Sequence, residues 1–476
     1  MVQFFTRAQP PLNFLPPAPN LPVLGATRLA LPYWMRWQEK IHRVESYNID
    51  PLVYLFRDFQ AEQQRFMIAF RHPSPQDSFC LAHLLWYDVP RRARALGVAL
   101  KAPIHAHFIY DRGIPLWAGQ WVGWLYARLG GTPMQRGKAD RPGLRSARNL
   151  FLNGRWPLAA APEGGNNGHT ELVSPLEPGV AQLCFWCLED LHRDQRPAAV
   201  SLVPLGISYR YETPPWQRLD DWLDRLERET GLQSPGLPSL APDWPPTLGS
   251  GADPDGAILR RYQRLVGLAE HLLGVMENYY HRVYSMPLPG GQGDALTFSQ
   301  RLEALRDRAL QVAETYFQLP PKGHVIDRCR RIEQAGWDRI FRQDLAGNQP
   351  LSAVAQGLAD REAEEANLRM WHMRLVENFV AVTGQYVRER PSAERFAESV
   401  LIMRDIIALI KGENPFPRPK LGPQVATVTV GEVMAVGDRW AAYQANRKQA
   451  VAQLTEDLQT ALEAMILPQN PEPPST

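Results

Sequence analysis

The sequence has few cysteines and no excess of charge of either sign. Its 476 residues include four cysteines, at positions 80, 184, 187 and 329, too few and too scattered for a disulfide framework. Lys and Arg, 52 in all, nearly cancel Asp and Glu, 50 in all, so the overall balance gives no attraction to a polyanion. These scarcities exclude a disulfide-stabilised scaffold, argue against nucleic acid as a partner and predict a cytoplasmic location.

Long hydrophobic runs are also missing. The richest apolar stretch, residues 114–129, contains Gln120 and Arg128, whereas a spanning helix needs about 18 or more apolar residues in succession. The first residues run directly into prolines, without the apolar core of a signal peptide. The sequence therefore predicts that any contact with a membrane is peripheral.

What is present, from Pro51 to Tyr211, is an alternation of short β-branched or apolar runs with longer amphipathic ones. This alternation is typical of α/β domains and predicts a mixed or parallel sheet with flanking helices. The predicted strands are residues 66–71, 103–110, 132–136, 157–161 and 200–211.

The pattern changes after Tyr211. Residues 233–256 are dense in Pro, Gly and Ser, long helical patterns then extend to Gly412, and a β-branched run follows at residues 425–430. The predicted organisation is a proline-rich lead-in of residues 1–50, an α/β domain of residues 51–212 and 422–476, and an all-α helical insertion of residues 213–421. The alternative is a separate C-terminal domain, a helical bundle with its own small sheet.

One short motif contains a candidate catalytic pair. In Arg71-His-Pro-Ser-Pro-Gln-Asp77, His72 follows a predicted strand and Asp77 begins a predicted helix five positions later. A carboxylate on one imidazole nitrogen fixes the tautomer and raises the basicity of the ring, which leaves the other nitrogen free to take a proton from a hydroxyl. The pair predicts general-base catalysis, with a loop histidine that caps a helix as the structural alternative.

Four blocks in chain order resemble the glycerolipid acyltransferase family typified by lysophosphatidic acid acyltransferases. The blocks are the His72 to Asp77 motif, the stretches Gly113-Ile-Pro-Leu-Trp and Gly130-Gly-Thr-Pro-Met-Gln-Arg136, the segment Ala161-Pro-Glu-Gly164, and Val203-Pro-Leu-Gly-Ile207. The resemblance covers about residues 60–211. It implies the α/β fold of that family, a fatty acyl thioester as donor, and no metal or bound cofactor.

The resemblance also implies a role for each site residue. His72 is the general base and Asp77 orients it; Arg136 meets the phosphate or other polar head of the acceptor. Glu163 and Gly164 hold the acceptor. The third block departs from the family at Gly165 and Asn166, where Thr and Arg are usual, so a lyso-lipid with a neutral or sugar head stays open beside lysophosphatidate.

The expected function is transfer of a fatty acyl group from acyl-ACP or acyl-CoA to a hydroxyl of a glycerolipid or lyso-lipid at a membrane surface. Trp117, Trp121 and Trp124 repeat at helical spacing, which predicts one indole face that enters the headgroup layer or packs in the core. Two other functions remain open: a non-catalytic lipid-binding or scaffold protein that keeps the fold, and an acyl-thioester hydrolase.

Overall fold

The computed structural model describes residues 6–135, 140–232, 256–287, 297–347, 351–379 and 385–466. The chain divides into two compact units. An α/β unit comprises residues 14–213 and 422–476, and a helical unit comprises residues 1–13 and 214–421. In the sequence, the helical unit therefore interrupts the α/β unit.

A mixed sheet forms the centre of the α/β unit. Among the described residues its strands are β1 (Ile41–Tyr47), β2 (Gln64–Phe70), β3 (His107–Asp111), β4 (Gly131–Met134), β5 (Leu158–Ala160), β6 (Ala199–Tyr211), β7 (Gln424–Val430) and β8 (Met434–Ala435). The spatial order is β1-β7-β6-β2-β5-β3-β4, and β8 pairs with β6. Strands β6, β2, β5, β3 and β4 are mutually parallel, whereas β7 and β8 are antiparallel to β6. The predicted α/β architecture with a mixed sheet is confirmed.

Helices flank this sheet on both faces. They are α1 (Leu21–Trp37), α2 (Asp50–Gln60), α3 (Asp77–His83), α4 (Val89–Ala95), α5 (Ile114–Ala118), α6 (Gln120–Arg128), α7 (Arg141–Asn153), α8 (Gly179–Arg193), α16 (Trp440–Ala445) and α17 (Arg447–Ala464). A π-helical turn, Leu84–Asp88, joins α3 to α4. Strand β2 is buried on both faces: Phe66 and Ile68 pack in the core below α2 and α3, and Met67 packs in the core below α7, α8 and α17.

Two parts of the α/β unit differ from the sequence-based expectation. Helix α1 and strand β1 lie within residues 1–50, for which no element was predicted. Trp117, Trp121 and Trp124 were expected on one helix, but Gly119, with a φ of 98°, separates α5, which contains Trp117, from α6, which contains Trp121 and Trp124.

The elements of the helical unit, within its described residues, are helices apart from one isolated bridge. They are α9 (Trp216–Thr230), α10 (Ala257–Tyr284), α11 (Phe298–Phe317), α12 (Val325–Ile340), α13 (Ala353–Phe379), α14 (Tyr386–Glu389), α15 (Ala393–Ile410) and a short 3-10 helix, Gln343–Leu345. A capping box of Thr297 and Gln300 begins α11. Across the described ranges of both units, none of the helices combines the length and apolar character that crossing a membrane requires.

Candidate active site

The candidate site lies where parallel strands end. His72 comes two residues after β2, and Glu163 comes three residues after β5. These strands are hydrogen-bonded neighbours, with Ala69 paired to Ala160, so the two loops leave the sheet side by side. The carboxyl edge of parallel strands is where ligands bind in open α/β sheets.

His72 and Asp77 form a hydrogen-bonded pair at this edge. The Nδ1 atom of His72 lies 3.1 Å from Oδ2 of Asp77. An ionised carboxylate only accepts hydrogen bonds, so Nδ1 carries the proton and Nε2 keeps its lone pair. The side chain of His72 is 25% exposed and that of Asp77 is 0% exposed. Within the described chain no group bonds to Nε2, so this nitrogen can receive a proton from a bound molecule.

Asp77 is held by uncharged donors besides the histidine. The backbone N–H of Ser74 donates to Oδ2 over 2.8 Å, and the hydroxyl of Tyr209 donates to Oδ1. Tyr209 lies on β6, which continues past the end of β2 and brings this hydroxyl to the start of α3. Burial, reinforced by the charge of Asp77, raises the pKa of Tyr209 well above its ordinary value, so the phenol keeps its proton. Since no cation among the described residues contacts the carboxylate, its charge acts on His72.

Glu163 connects the first and third sequence blocks. Its Oε1 atom accepts the backbone N–H of His72 over 2.8 Å, and Oε2 accepts the N–H of Ser174 over 3.0 Å. The amide of Asn167 donates to Oε2 over 3.2 Å. The side chain is 0% exposed. Both oxygens are thus used inside the protein, an arrangement that orients the histidine loop.

Arg71 contacts residues 161–178, the third-block loop between β5 and α8. Its guanidinium donates to the carbonyl oxygens of Thr170 at 2.6 Å and Leu172 at 2.7 Å, and Nε lies 3.6 Å from Oε1 of Glu163. Arg71 is 1% exposed. A buried guanidinium bound to carbonyls and a carboxylate gives the third-block loop a defined conformation next to His72.

The predicted site residues therefore have different outcomes. His72, Asp77 and Glu163 lie together. Gly164 occupies a left-handed turn with a φ of 68°, where a Cβ would approach Oε1 of Glu177 to 2.1 Å, so this position needs glycine for the turn itself. Arg136 lies outside the described residues, and its contact with an acceptor stays a prediction. The same holds for acceptor contacts of Glu163 and Gly164.

Replacing Glu163 with glutamine is expected to destabilise the α/β unit by about 3 kcal/mol, because it leaves Arg71 buried without its counter-charge. Urea unfolding followed by circular dichroism measures this change. Glu456→Gln, at an exposed position on α17, is the matched control and is expected to leave the unfolding midpoint unchanged. Equal midpoints for both variants would show that Glu163 does not fix the loop.

A second pair with the same spacing was missed. His83 and Asp88 are the other His-x4-Asp in the sequence, and their Nδ1 to Oδ2 distance is 3.2 Å with exposures of 24% and 1%. The π-helical turn brings residues five apart onto one face. Asp88 also accepts from Arg91 over 2.6 Å and from Ser46 over 2.7 Å. Burial raises the pKa of Asp88, but hydrogen bonds from His83 and Ser46 outweigh it and the pKa is lowered.

The surroundings distinguish the two pairs. Asp88 has a cationic partner in Arg91, which offsets its effect on His83. Asp77 has neutral donors, and its histidine stands at the carboxyl edge of the parallel strands beside the third block. We therefore take His72 and Asp77 as the candidate catalytic pair.

An open groove adjoins the third-block loop. It measures about 620 Å³ and is lined by Val173 and Leu176 from the loop and by Ala452 and Gln459 from α17. His72 does not line it. The candidate active site is therefore located by His72, Asp77 and the ends of the parallel strands, and not by this groove.

Comparisons with known proteins add no family to this description. No protein-family model matches the chain, and neither a curated protein nor a solved structure is significantly similar to it.

Proposed function

We propose that the protein is an acyltransferase that moves a fatty acyl group from an acyl thioester, acyl-ACP or acyl-CoA, to a hydroxyl of a glycerolipid or lyso-lipid. Its α/β unit would then have the glycerolipid acyltransferase fold, which the four sequence blocks resemble. The reaction takes place at a membrane surface and needs no metal or bound cofactor.

The observation that carries the proposal is the hydrogen bond between Glu163 and the backbone of His72. The two residues are 91 positions apart, in the first and third blocks of the resemblance, and Oε1 lies 2.8 Å from the His72 nitrogen. A His-x4-Asp motif that arose by chance would not be expected to contact the third block. If the two blocks share a catalytic role, they have to meet, and they do so at the carboxyl edge of the sheet.

The proposed reaction begins with the acceptor hydroxyl next to Nε2 of His72. Nε2 removes the hydroxyl proton while the acceptor oxygen attacks the carbonyl carbon of the thioester. Asp77 stabilises the imidazolium that forms, through the hydrogen bond at Nδ1. The carbon–sulfur bond then breaks, and the leaving thiolate takes the proton back from Nε2.

The composition of the third-block loop favours one kind of acceptor headgroup. Gly165 and Asn166 follow Gly164 in place of the usual Thr and Arg, and they bring no cation to this loop. Arginine is the side chain best suited to bind a phosphate in a forked geometry. We therefore propose that lyso-lipids with a neutral or sugar head are better acceptors than lysophosphatidate.

The test of this function is an assay with radiolabelled acyl-CoA and acyl-ACP and a panel of acceptors: lysophosphatidate, lysophosphatidylglycerol, a monoacylglycerol and a lyso-glycolipid. The expected result is a labelled lipid product that depends on the acceptor. Thioester consumption without an acceptor would identify a hydrolase instead. Lipid binding without consumption of either thioester would identify a scaffold protein.

Replacing Tyr209 with phenylalanine is expected to lower kcat about tenfold with KM unchanged, because one of the donors that hold Asp77 is lost. Steady-state kinetics measure the effect. Tyr110→Phe is the matched control, since Tyr110 is buried on β3 of the same sheet and its hydroxyl has no hydrogen-bond partner in the described chain. An unchanged kcat in Tyr209→Phe would show that the hydroxyl does not act through Asp77.

A further inference from the structure

Helix α1 is apolar on two opposite faces. One face is buried, with Leu24, Leu31 and Met35 in the core. The other face carries Leu29, Tyr33 and Trp37, which recur every four residues and are 75%, 70% and 70% exposed. Large apolar side chains grouped on an exposed surface indicate an interaction site, whereas single ones do not.

Tryptophan is concentrated on this surface and on its neighbour. Trp34 and Trp37 on α1 and Trp121 and Trp124 on α6 are exposed. The two helices are adjacent at one end, because the N–H of Asn20, the N-cap of α1, donates to the carbonyl of Arg128 at the end of α6. Tryptophan and tyrosine favour the layer between water and the apolar part of a bilayer.

The segments that contain α1 and α6 carry positive charges and no negative ones. Residues 14–38 contain Arg28 and Arg36 and no Asp or Glu, and residues 113–135 contain Arg128 and no Asp or Glu. In a chain whose charges nearly cancel overall, two carboxylate-free segments that carry the exposed tryptophans complement an anionic surface. A water-exposed protein surface ordinarily mixes both signs of charge.

Helix α1 is attached to the element that carries Asp77. The ring of Trp34 packs edge-on against Phe79 of α3, with centroids 6.5 Å apart. Beyond the end of α1, Glu39 accepts a hydrogen bond from Gln76 over 2.9 Å, one residue before Asp77. Direct side-chain contacts therefore connect helix α1 to the segment that contains Asp77.

We propose that α1, with Leu29, Tyr33 and Trp37 as its contact residues, lies in the headgroup layer of a phospholipid bilayer and places His72 at the lipid surface. The arginines add attraction to anionic lipid, and the helix rests on the bilayer without crossing it. This inference rests on the proposed function for its purpose, since a lipid acceptor has to be reached in the bilayer. Vesicle binding is nevertheless measured separately from acyl transfer.

The experiment is sedimentation of the full chain with phosphatidylcholine vesicles and with mixed phosphatidylcholine–phosphatidylglycerol vesicles. The wild type is expected to bind both and to prefer the mixed vesicles. The triple variant Leu29→Gln, Tyr33→Gln, Trp37→Gln is expected to bind at least about tenfold more weakly, since three exposed apolar side chains no longer leave water. Arg36→Gln is expected to weaken binding about fivefold on the mixed vesicles and not on the neutral ones.

Two controls keep the result specific. Val354→Gln with Leu358→Gln changes side chains that are 75% and 68% exposed on α13 and is expected to bind vesicles as the wild type does. His72→Ala is expected to bind like the wild type too, so absence of acyl transfer and absence of membrane binding are separate outcomes. If the protein makes lipid product, the triple variant is expected to retain transfer to a dispersed short-chain acceptor and to lose transfer to a vesicle-borne one.

The proposal is overturned if the wild type binds neither vesicle, or if the triple variant binds as strongly as the wild type. It is also overturned if light scattering shows a dimer that the triple variant abolishes while vesicle binding stays the same, because the α1 surface would then cover a second copy of the chain.

Discussion

Replacing His72 with alanine is expected to lower acyl transfer roughly a thousandfold, because general-base catalysis by a positioned side chain contributes about that factor. The fold is expected to survive, since His72 is a loop residue with a side chain 25% exposed. Initial rates with labelled acyl thioester and the best acceptor measure the loss. Circular dichroism and the thermal midpoint measure the fold.

The chain contains its own control for this experiment. His83 has the same spacing to an aspartate, nearly the same exposure and a similar distance to the carboxylate. His83→Ala is therefore matched to His72→Ala in chemistry and local geometry, and it is expected to leave transfer unchanged. A loss of transfer in His83→Ala with retention in His72→Ala would move the reaction to the π-helical turn. Wild-type activity in both variants would contradict general-base catalysis by either histidine.

The strands at the centre of the sheet were predictable because their environment is uniform. A parallel strand buried on both faces is a continuous apolar run, as in residues 66–70 of β2, and such a run contrasts with the amphipathic helices on either side. The same contrast located β3, β4, β5 and β6 and the returning strand β7. Their order in the sheet was not predictable, since pairing depends on contacts between distant residues.

The N-terminal elements were not predictable for two separate reasons. Strand β1, Ile-His-Arg-Val-Glu-Ser-Tyr, is at the edge of the sheet with most of its side chains half-buried or exposed, so it has neither an apolar run nor a clean alternation. Helix α1 is apolar on both faces, so it lacks a helical period, and its interior contains Pro32, a residue that usually ends a helix.

In the candidate site, too, contacts between residues close in sequence were predictable and contacts between distant residues were not. The pairing of His72 with Asp77 is local, and the five-residue spacing was enough to predict it. The spacing alone could not separate this pair from His83 and Asp88. Apart from Arg91, which pairs with Asp88, the groups that separate them are distant in sequence: the carboxylate of Glu163 and the hydroxyl of Tyr209, 132 positions from Asp77. No local pattern marks Tyr209, which looks like one more aromatic residue of a buried strand.

Replacing Asp77 with asparagine is expected to lower kcat by roughly 10³-fold to 10⁴-fold, with KM for the acyl thioester unchanged. The amide nearly preserves the volume of a fully buried side chain, so packing is retained. An amide N–H facing Nδ1 would force the proton onto Nε2, and His72 would then be unable to accept one from the acceptor. An amide oxygen facing Nδ1 keeps the tautomer but removes the charge that stabilises the imidazolium. Steady-state kinetics at saturating acceptor measure both constants.

The double variant His72→Ala, Asp77→Asn separates a catalytic pair from two independent contributions. If Asp77 acts through His72, the aspartate has nothing to orient once the imidazole is gone, and the double variant is expected to be no slower than His72→Ala. Multiplied losses would contradict the orienting role and assign Asp77 a separate one. Asp88→Asn is the matched control and is expected to leave kcat unchanged, since its carboxylate serves His83, Ser46 and Arg91 in the π-helical turn.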